Sequence, residues 1–200
     1  EYEGEMRFGP INHVHAETMG TNSEIKQAMF AAENTIIHYA EPLSALLLAH
    51  GGVYEKDILD LAWKYLLATQ AHDSVHGSGD PKIKTDNLNR LAQVQEIANS
   101  VTRRAVEGIC ERIRLSGDRE DISVVVFNTT PYERDDTIRL TLDIPQEERV
   151  EDYWLEYLDG RRVECYQLGK KEFNLAMVHR KNRPKSVYCD RFEVMAYITG

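Results

Sequence analysis

The chain has 200 residues, a formal net charge of −9 and the ordinary composition of a globular protein, long enough for one large domain or two small ones with real cores. The acidic balance argues against a nucleic-acid partner, which would favour a basic face. The longest apolar run, Leu43 to Ala49, is far short of the ~20 residues that a membrane span needs.

Three scattered cysteines, Cys110, Cys165 and Cys189, read as reduced thiols rather than a disulfide framework or a metal knuckle. With the acidic composition they lean towards a cytoplasmic location. The chain opens at Glu1 without a methionine and ends on a strand-like Ala196-Tyr197-Ile198-Thr199-Gly200, so a piece of a longer protein is expected.

Residues 1 to about 20 show no clear period. Glu3–Phe8 could form a short strand before a turn at Gly9-Pro10. His13 and His15 would share one side of an extended chain, as half a metal site or as two surface histidines on a connector. From Ser23 the spacing turns helical: Ile25, Met29, Ala32, Ile36, Tyr39, Leu43, Leu46 and Leu47 recur every three or four residues. Asn22 or Ser23 can cap this helix, and Gly51-Gly52 stops it. Pro42 must kink or divide it, because proline lacks an N–H and crowds the preceding turn.

A second helix is predicted over about Glu55–Ala71. Its inner face is Ile58, Leu61, Ala62, Tyr65, Leu66 and Thr69, and Trp63 and Leu67 make a second covered edge. A third begins at Asp80-Pro81, an N-cap followed by proline at the first helical position, and runs to about Ser116-Gly117. Ile83, Leu88, Leu91, Val94, Ala98, Val101, Ala105, Ile109 and Ile113 form its stripe. Three long helices with short connections predict an antiparallel three-helix bundle.

After the charged linker Asp118-Arg119-Glu120-Asp121 the period becomes two. Ile122–Phe127 reads as a buried strand, and the alternation at Ile138, Leu140, Leu142 and Ile144 as a half-buried one. Asp159-Gly160 between Tyr153–Leu158 and Val163–Leu168 marks a hairpin. Residues 172–178 and 187–199 supply two more strands around the loop Arg180–Ser186. Asn128-Thr129-Thr130 fits the N-glycosylation pattern but reads as the turn after the first strand. The predicted class is α+β in separate blocks: an antiparallel three-helix bundle, then part of an antiparallel β-sandwich.

The densest chemistry lies in Gln70–Asp80, where two histidines, two carboxylates, two serines and two glycines crowd between two helices. His72 stands at a helix end, where unsatisfied carbonyls favour a cation, and a neutral imidazole is a common zinc ligand. Asp73 can orient the histidine, bind a metal or accept from hydroxyls. Asp, Ser and Gly are also what turns are made of. Zinc takes three or more protein ligands, and the chain has no HxxxH and no paired cysteines, so such a site would be incomplete.

His72-Asp73-Ser74-Val75-His76-Gly77 resembles the His-Asp-Ser-Ile-x-Gly signature of the family 38 glycoside hydrolases, the α-mannosidases. Gly4-Glu5-Met6-Arg7 resembles the stretch that closes their catalytic domain, and Lys26 falls at that family's lysine. Tyr39-Ala40-Glu41-Pro42-Leu43 is similar to its helical Glu-Pro-Leu. Val124–Asn128 with Pro131-Tyr132-Glu133-Arg134 resembles the first strand of its β-domain.

The resemblance implies a parent enzyme with a catalytic barrel, a three-helix middle domain and a large β-region. It implies one zinc ion and a retaining mechanism with an aspartate nucleophile and a second carboxylic acid. His72 would be the zinc ligand from the middle domain and Asp73 a sugar-hydroxyl contact. Residues 1–20 would then be the end of the catalytic domain and connector, 21–117 the middle domain and 118–200 the start of the β-sandwich. No catalytic residue falls in this chain, so by itself it is expected not to hydrolyse glycosides and to bind zinc weakly. The implied partner is a mannose-containing glycan or small mannoside, with neither nucleic acid nor membrane. Asn22 stands where the family's Ser-Ser-Arg has arginine, and His76 replaces a position that is not usually histidine. Open strand edges in 122–200 predict self-association. The rival reading is a carbohydrate-binding or scaffold module without catalysis, with Glu1 near a natural start.

Overall fold

The first helical stretch is continuous but not uniform. It runs as α1 (Ser23–Thr35), a π turn (Ile36–Ala40) and α2 (Glu41–Ala49). The π turn answers the problem posed by Pro42. Proline donates no hydrogen bond and its ring collides with the carbonyl four residues back. Widening the turn, so that the Glu41 N–H reaches the Ile36 carbonyl, makes room for it without a break. Downstream, the inner face continues through Ala40, Leu43 and Leu47, while the expected stripe residues Tyr39 and Leu46 are exposed.

The computed structural model describes residues 3–4, 18, 20–114, 122–177 and 185–200, in two units, Glu1–Thr130 and Pro131–Gly200. The expected strand over Glu3–Phe8, the His13/His15 pair, the linker at 118–121 and the body of the loop at 180–186 lie outside the described residues.

In the first unit, α3 (Lys56–Thr69), the short α4 (His72–His76) and α5 (Pro81–Cys110) follow. The second predicted helix therefore ends before Gln70, and the third at Cys110 rather than near Ser116. Asp80 caps α5 as expected, its Oδ1 accepting from the Lys82 N–H at 2.8 Å. The bundle core joins Ile25, Ala32 and Ile36 to Leu59, Ala62 and Leu66 of α3 and to Leu91, Val94, Ala98 and Val101 of α5. On α3 the buried line is Leu59, Ala62, Leu66 and Thr69, so Ile58 and Leu61 flank it and Leu67 is exposed rather than covered. The buried Thr69 hydroxyl donates to the Leu66 carbonyl at 2.7 Å, which satisfies it. A smaller cluster of Leu43, Leu47, Ala105 and Ile109, with Phe127 against it, extends this core.

Ile122–Val126 is not the buried strand expected. Its apolar residues Ile122, Val124, Val125 and Val126 are exposed, and it belongs to no sheet among the described residues. A strand needs a partner ladder as well as β-propensity, and only Phe127 finds a packed environment. Asn128-Thr129-Thr130 closes an Asx turn, the Asn128 Oδ1 accepting from the Thr130 N–H at 3.0 Å.

The second unit is a three-stranded antiparallel sheet in the order β1-β3-β2, with β1 at Asp136–Pro145, β2 at Glu164–Met177 and β3 at Lys185–Ile198. β1 alternates as predicted. Leu140 pairs with Val194 and Leu142 with Phe192, placing one apolar face over a core of Ile144, Phe192 and Val194. The Asp159-Gly160 hairpin forms, with Gly160 at φ 83 and Glu156 bridged to Arg162. The strands read at 163–168 and 172–178 are one strand, carried past Gly169 by a register shift between Gln167 and Gly169.

Across β1 and β3, Arg191 grips Asp143 with Nε at 2.6 Å and Nη2 at 2.8 Å. These hydrogen bonds hold the Asp143 carboxyl below its ordinary 3.8, against the opposing effect of partial burial. Between the lowered folded value and 3.8 the unfolded chain binds more protons. The pair's contribution is therefore complete above that range and lost as pH falls through it. Urea midpoints of the wild type and Asp143→Asn are expected to converge on acidification below 3.8, and a constant gap would count against this coupling.

Candidate functional site

The His72–His76 turn is held from outside. It contains no fully buried residue, although Ser74, Val75 and His76 are half-buried. Gly77 ends it in the left-handed region, at φ 78, and returns its N–H to the Asp73 carbonyl at 2.9 Å. The Ser78 N–H reaches the same carbonyl at 3.3 Å. Two residues before α1 then clamp the carbonyls that emerge: Thr21 Oγ1 donates to the His76 carbonyl at 2.7 Å, and Asn22 Nδ2 to that of Gly77 at 3.0 Å. Asn22 occupies the N-cap position of α1 at φ 46 but makes no side-chain capping bond. Its amide is committed to the turn instead. Lys26 Nζ donates to the Thr21 carbonyl and steadies the clamp from the first turns of α1. A Cβ on Gly77 would fall 2.0 Å from Asn22 Nδ2, so the close approach requires glycine.

The clamp leaves the predicted site residues in different places. The His72 side chain is 95% exposed, and its Nε2 lies 3.4 Å from Asp73 Oδ1. Asp73 also accepts from Ser78 Oγ at 3.4 Å and lines a cleft of about 310 Å³. Asn22, Ser74 and Gly77 line the same cleft, as do Lys84 and Asn87 of α5 and the apolar Ile25 and Ile83. His72 does not line it. Lys84 is paired with Glu24 of α1.

Among the described residues no group of three or more His, Cys, Asp or Glu side chains gathers as a metal site. An exposed imidazole beside one carboxylate suits a single zinc ligand and falls short of the tetrahedral set. Asn87 is the cleft residue missing from the predicted set. Its spacing was the available signal, since it stands four residues before Leu91 on the buried stripe of α5.

Residues 13–109 match the model of the family described as the α-mannosidase middle domain. The helical unit and its His72–Gly77 turn fall within that match. The mouse and human α-mannosidases 2C1 are 27% and 26% identical to the chain over 129 residues, 64% of this chain and 12% of each of theirs. An α-mannosidase from Enterococcus faecalis V583 superposes with a TM-score of 0.74 at 18% identity, over 92% of this chain and 24% of that one. A glycosyl hydrolase family 38 protein from Enterococcus faecalis superposes with a TM-score of 0.78 at 19% identity, with the same coverage. Residues 13–109 thus match an α-mannosidase middle domain, and the chain as a whole shares the fold of these solved structures. No helix among the described residues is long and apolar enough to cross a membrane.

Proposed function

We propose that this chain is part of a zinc-dependent retaining α-mannosidase, and that its His72–Gly77 turn completes an active site built mainly by residues beyond this sequence. The observation that supports this is the clamped, solvent-facing His72-Asp73 pair in a stretch that matches the α-mannosidase middle domain. His72 supplies one ligand to the zinc ion, which when bound positions sugar hydroxyls and steadies the distorted ring. Asp73 accepts from a hydroxyl of a mannose-containing glycan or small mannoside. The proposed boundaries are 1–20 for the connector, 21–117 for the middle domain and 118–200 for the start of a β-sandwich. The proposed location is cytoplasmic.

The test is His72→Ala in the longer enzyme. Zinc content and turnover of an aryl α-mannoside are expected to fall together, and full zinc retention with unchanged turnover would overturn the assignment. The 200-residue chain alone is expected to show no zinc-dependent turnover and only weak zinc uptake by calorimetry. A tight isotherm abolished by His72→Ala would contradict that.

β1 and β2 are the outer strands of their sheet, each with an unpaired edge among the described residues. Self-association through region 122–200 is expected. Sedimentation of the chain should show mass increasing with concentration, and a monomer throughout would refute it.

A further inference from the structure

Helix α5 buries an amide that the bundle leaves half used. Asn87 is 1% exposed, at the first buried position of the α5 stripe. Its Oδ1 accepts from Arg90 Nη1 at 3.0 Å. A guanidinium only donates, so this bond fixes which end of the amide is oxygen. The other end, Nδ2, has no acceptor among the described residues. A buried donor without a partner is costly, and the next stripe positions, Leu91 and Val94, are filled by apolar residues that incur no such cost.

Asn87 also lines the cleft that Asp73 enters. Its volume, about 310 Å³, lies at the lower end of small-molecule pockets. An ionised carboxylate only accepts and the unsatisfied Nδ2 only donates. Hydroxyl groups do both, so a ligand with neighbouring hydroxyls matches the two together. The charges point the same way: Lys84, the one cation lining the cleft among the described residues, is already paired with Glu24, which disfavours an anionic ligand. Ile25 and Ile83 give the cleft an apolar wall against which the C–H face of a sugar ring can lie.

We propose that Asn87 is a second hydroxyl-binding residue of this cleft, donating through Nδ2 to a ring hydroxyl of a neutral sugar whose neighbouring hydroxyl donates to Asp73. The inference rests on the reading of Asp73 as a sugar contact.

The test is a titration of the ¹⁵N-labelled 200-residue chain with methyl α-D-mannopyranoside, followed by NMR at the Asn87 side-chain amide and the Asp73 and Ser74 backbone amides. The Asn87 signals are assigned by their loss in Asn87→Leu. All three groups are expected to shift together and saturate at one dissociation constant. Asn87→Leu, and Asn87→Asp, which keeps an oxygen for Arg90 but removes the donor, are each expected to weaken binding about tenfold or more. If either variant fails to fold, the wild-type response at Asn87 decides. Shifts at Asp73 and Ser74 with none at Asn87 overturn the inference and leave the Asp73 reading standing. No saturable shift at any of the three overturns the inference that this cleft binds sugar through Asn87, while the Asp73 reading is tested by the longer enzyme. A long-lived water contact to Nδ2 that persists at saturating sugar also overturns the inference, because the donor is then satisfied by solvent.

Discussion

Gly77→Ala is expected to destabilise the helical unit by about 2 kcal/mol or more and to loosen the His72–His76 turn. Two costs combine. The backbone at φ 78 is left-handed, which an L side chain resists by roughly 1–2 kcal/mol. The new Cβ would also fall 2.0 Å from Asn22 Nδ2 and 2.7 Å from its Cγ, so Asn22 must abandon the Gly77 carbonyl. Gly51→Ala separates the two costs, because Gly51 has φ 79 with nothing within 4 Å of its ideal Cβ. Thermal unfolding should rank Gly77→Ala clearly below Gly51→Ala, and amide exchange at residues 73–78 should accelerate only in the former. Equal effects would show that the Asn22 contact is not holding the turn.

Phe192→Ala is expected to cost the sheet unit about 3–5 kcal/mol, the usual range for emptying a buried aromatic site. Phe192 is 2% exposed and packs with Ile144 and Val194. The Tyr153 ring meets it edge-on at 5.1 Å, and Lys170 Nζ lies 4.9 Å from its centroid. The core it fills is composed of residues from the second unit. Amides of β3 should therefore lose protection from exchange while those of Val94–Val101 in α5 keep theirs. Equal loss in both places would show that the two units unfold as one.

Legibility in the sequence followed the range of the interaction that decides each feature. Local signals read well. Asp80-Pro81 marked the start of α5, Asp159-Gly160 marked the hairpin, and the alternation of β1 held, because each depends on a few neighbouring residues. The demand of Pro42 was legible but its solution was not, since a kink, a break and a wide turn all relieve the same collision. The α3 face was misread at Ile58 and Leu61 because apolar residues lie on both sides of the true stripe at Leu59. Gly169-Lys170-Lys171 reads as a loop between strands until the ladder to β3 is seen running through it. Ile122–Val126 has β-propensity, but propensity does not supply the neighbour that completes a ladder.

Within the candidate site, His72 and Asp73 stand out by their chemistry, and the structure places both on one exposed turn. Asn87 does not stand out in the sequence, because a polar residue on an apolar stripe reads as a lapse in the pattern rather than a member of it. The clamp by Thr21 and Asn22 joins positions 55 residues apart to His76 and Gly77, a separation at which no periodicity operates.

Because the turn is held through its carbonyl groups and His72 and Asp73 are exposed, those two side chains carry little of the folding energy. Substitutions there can be sampled without the stability loss that accompanies change in a core. A library randomised at His72 and Asp73 should thus retain folded protein while losing ligand chemistry, whereas one randomised at Thr21, Asn22 and Gly77 should lose both. Such a separation lets the scaffold change the groups it presents at this rim by ordinary point mutation.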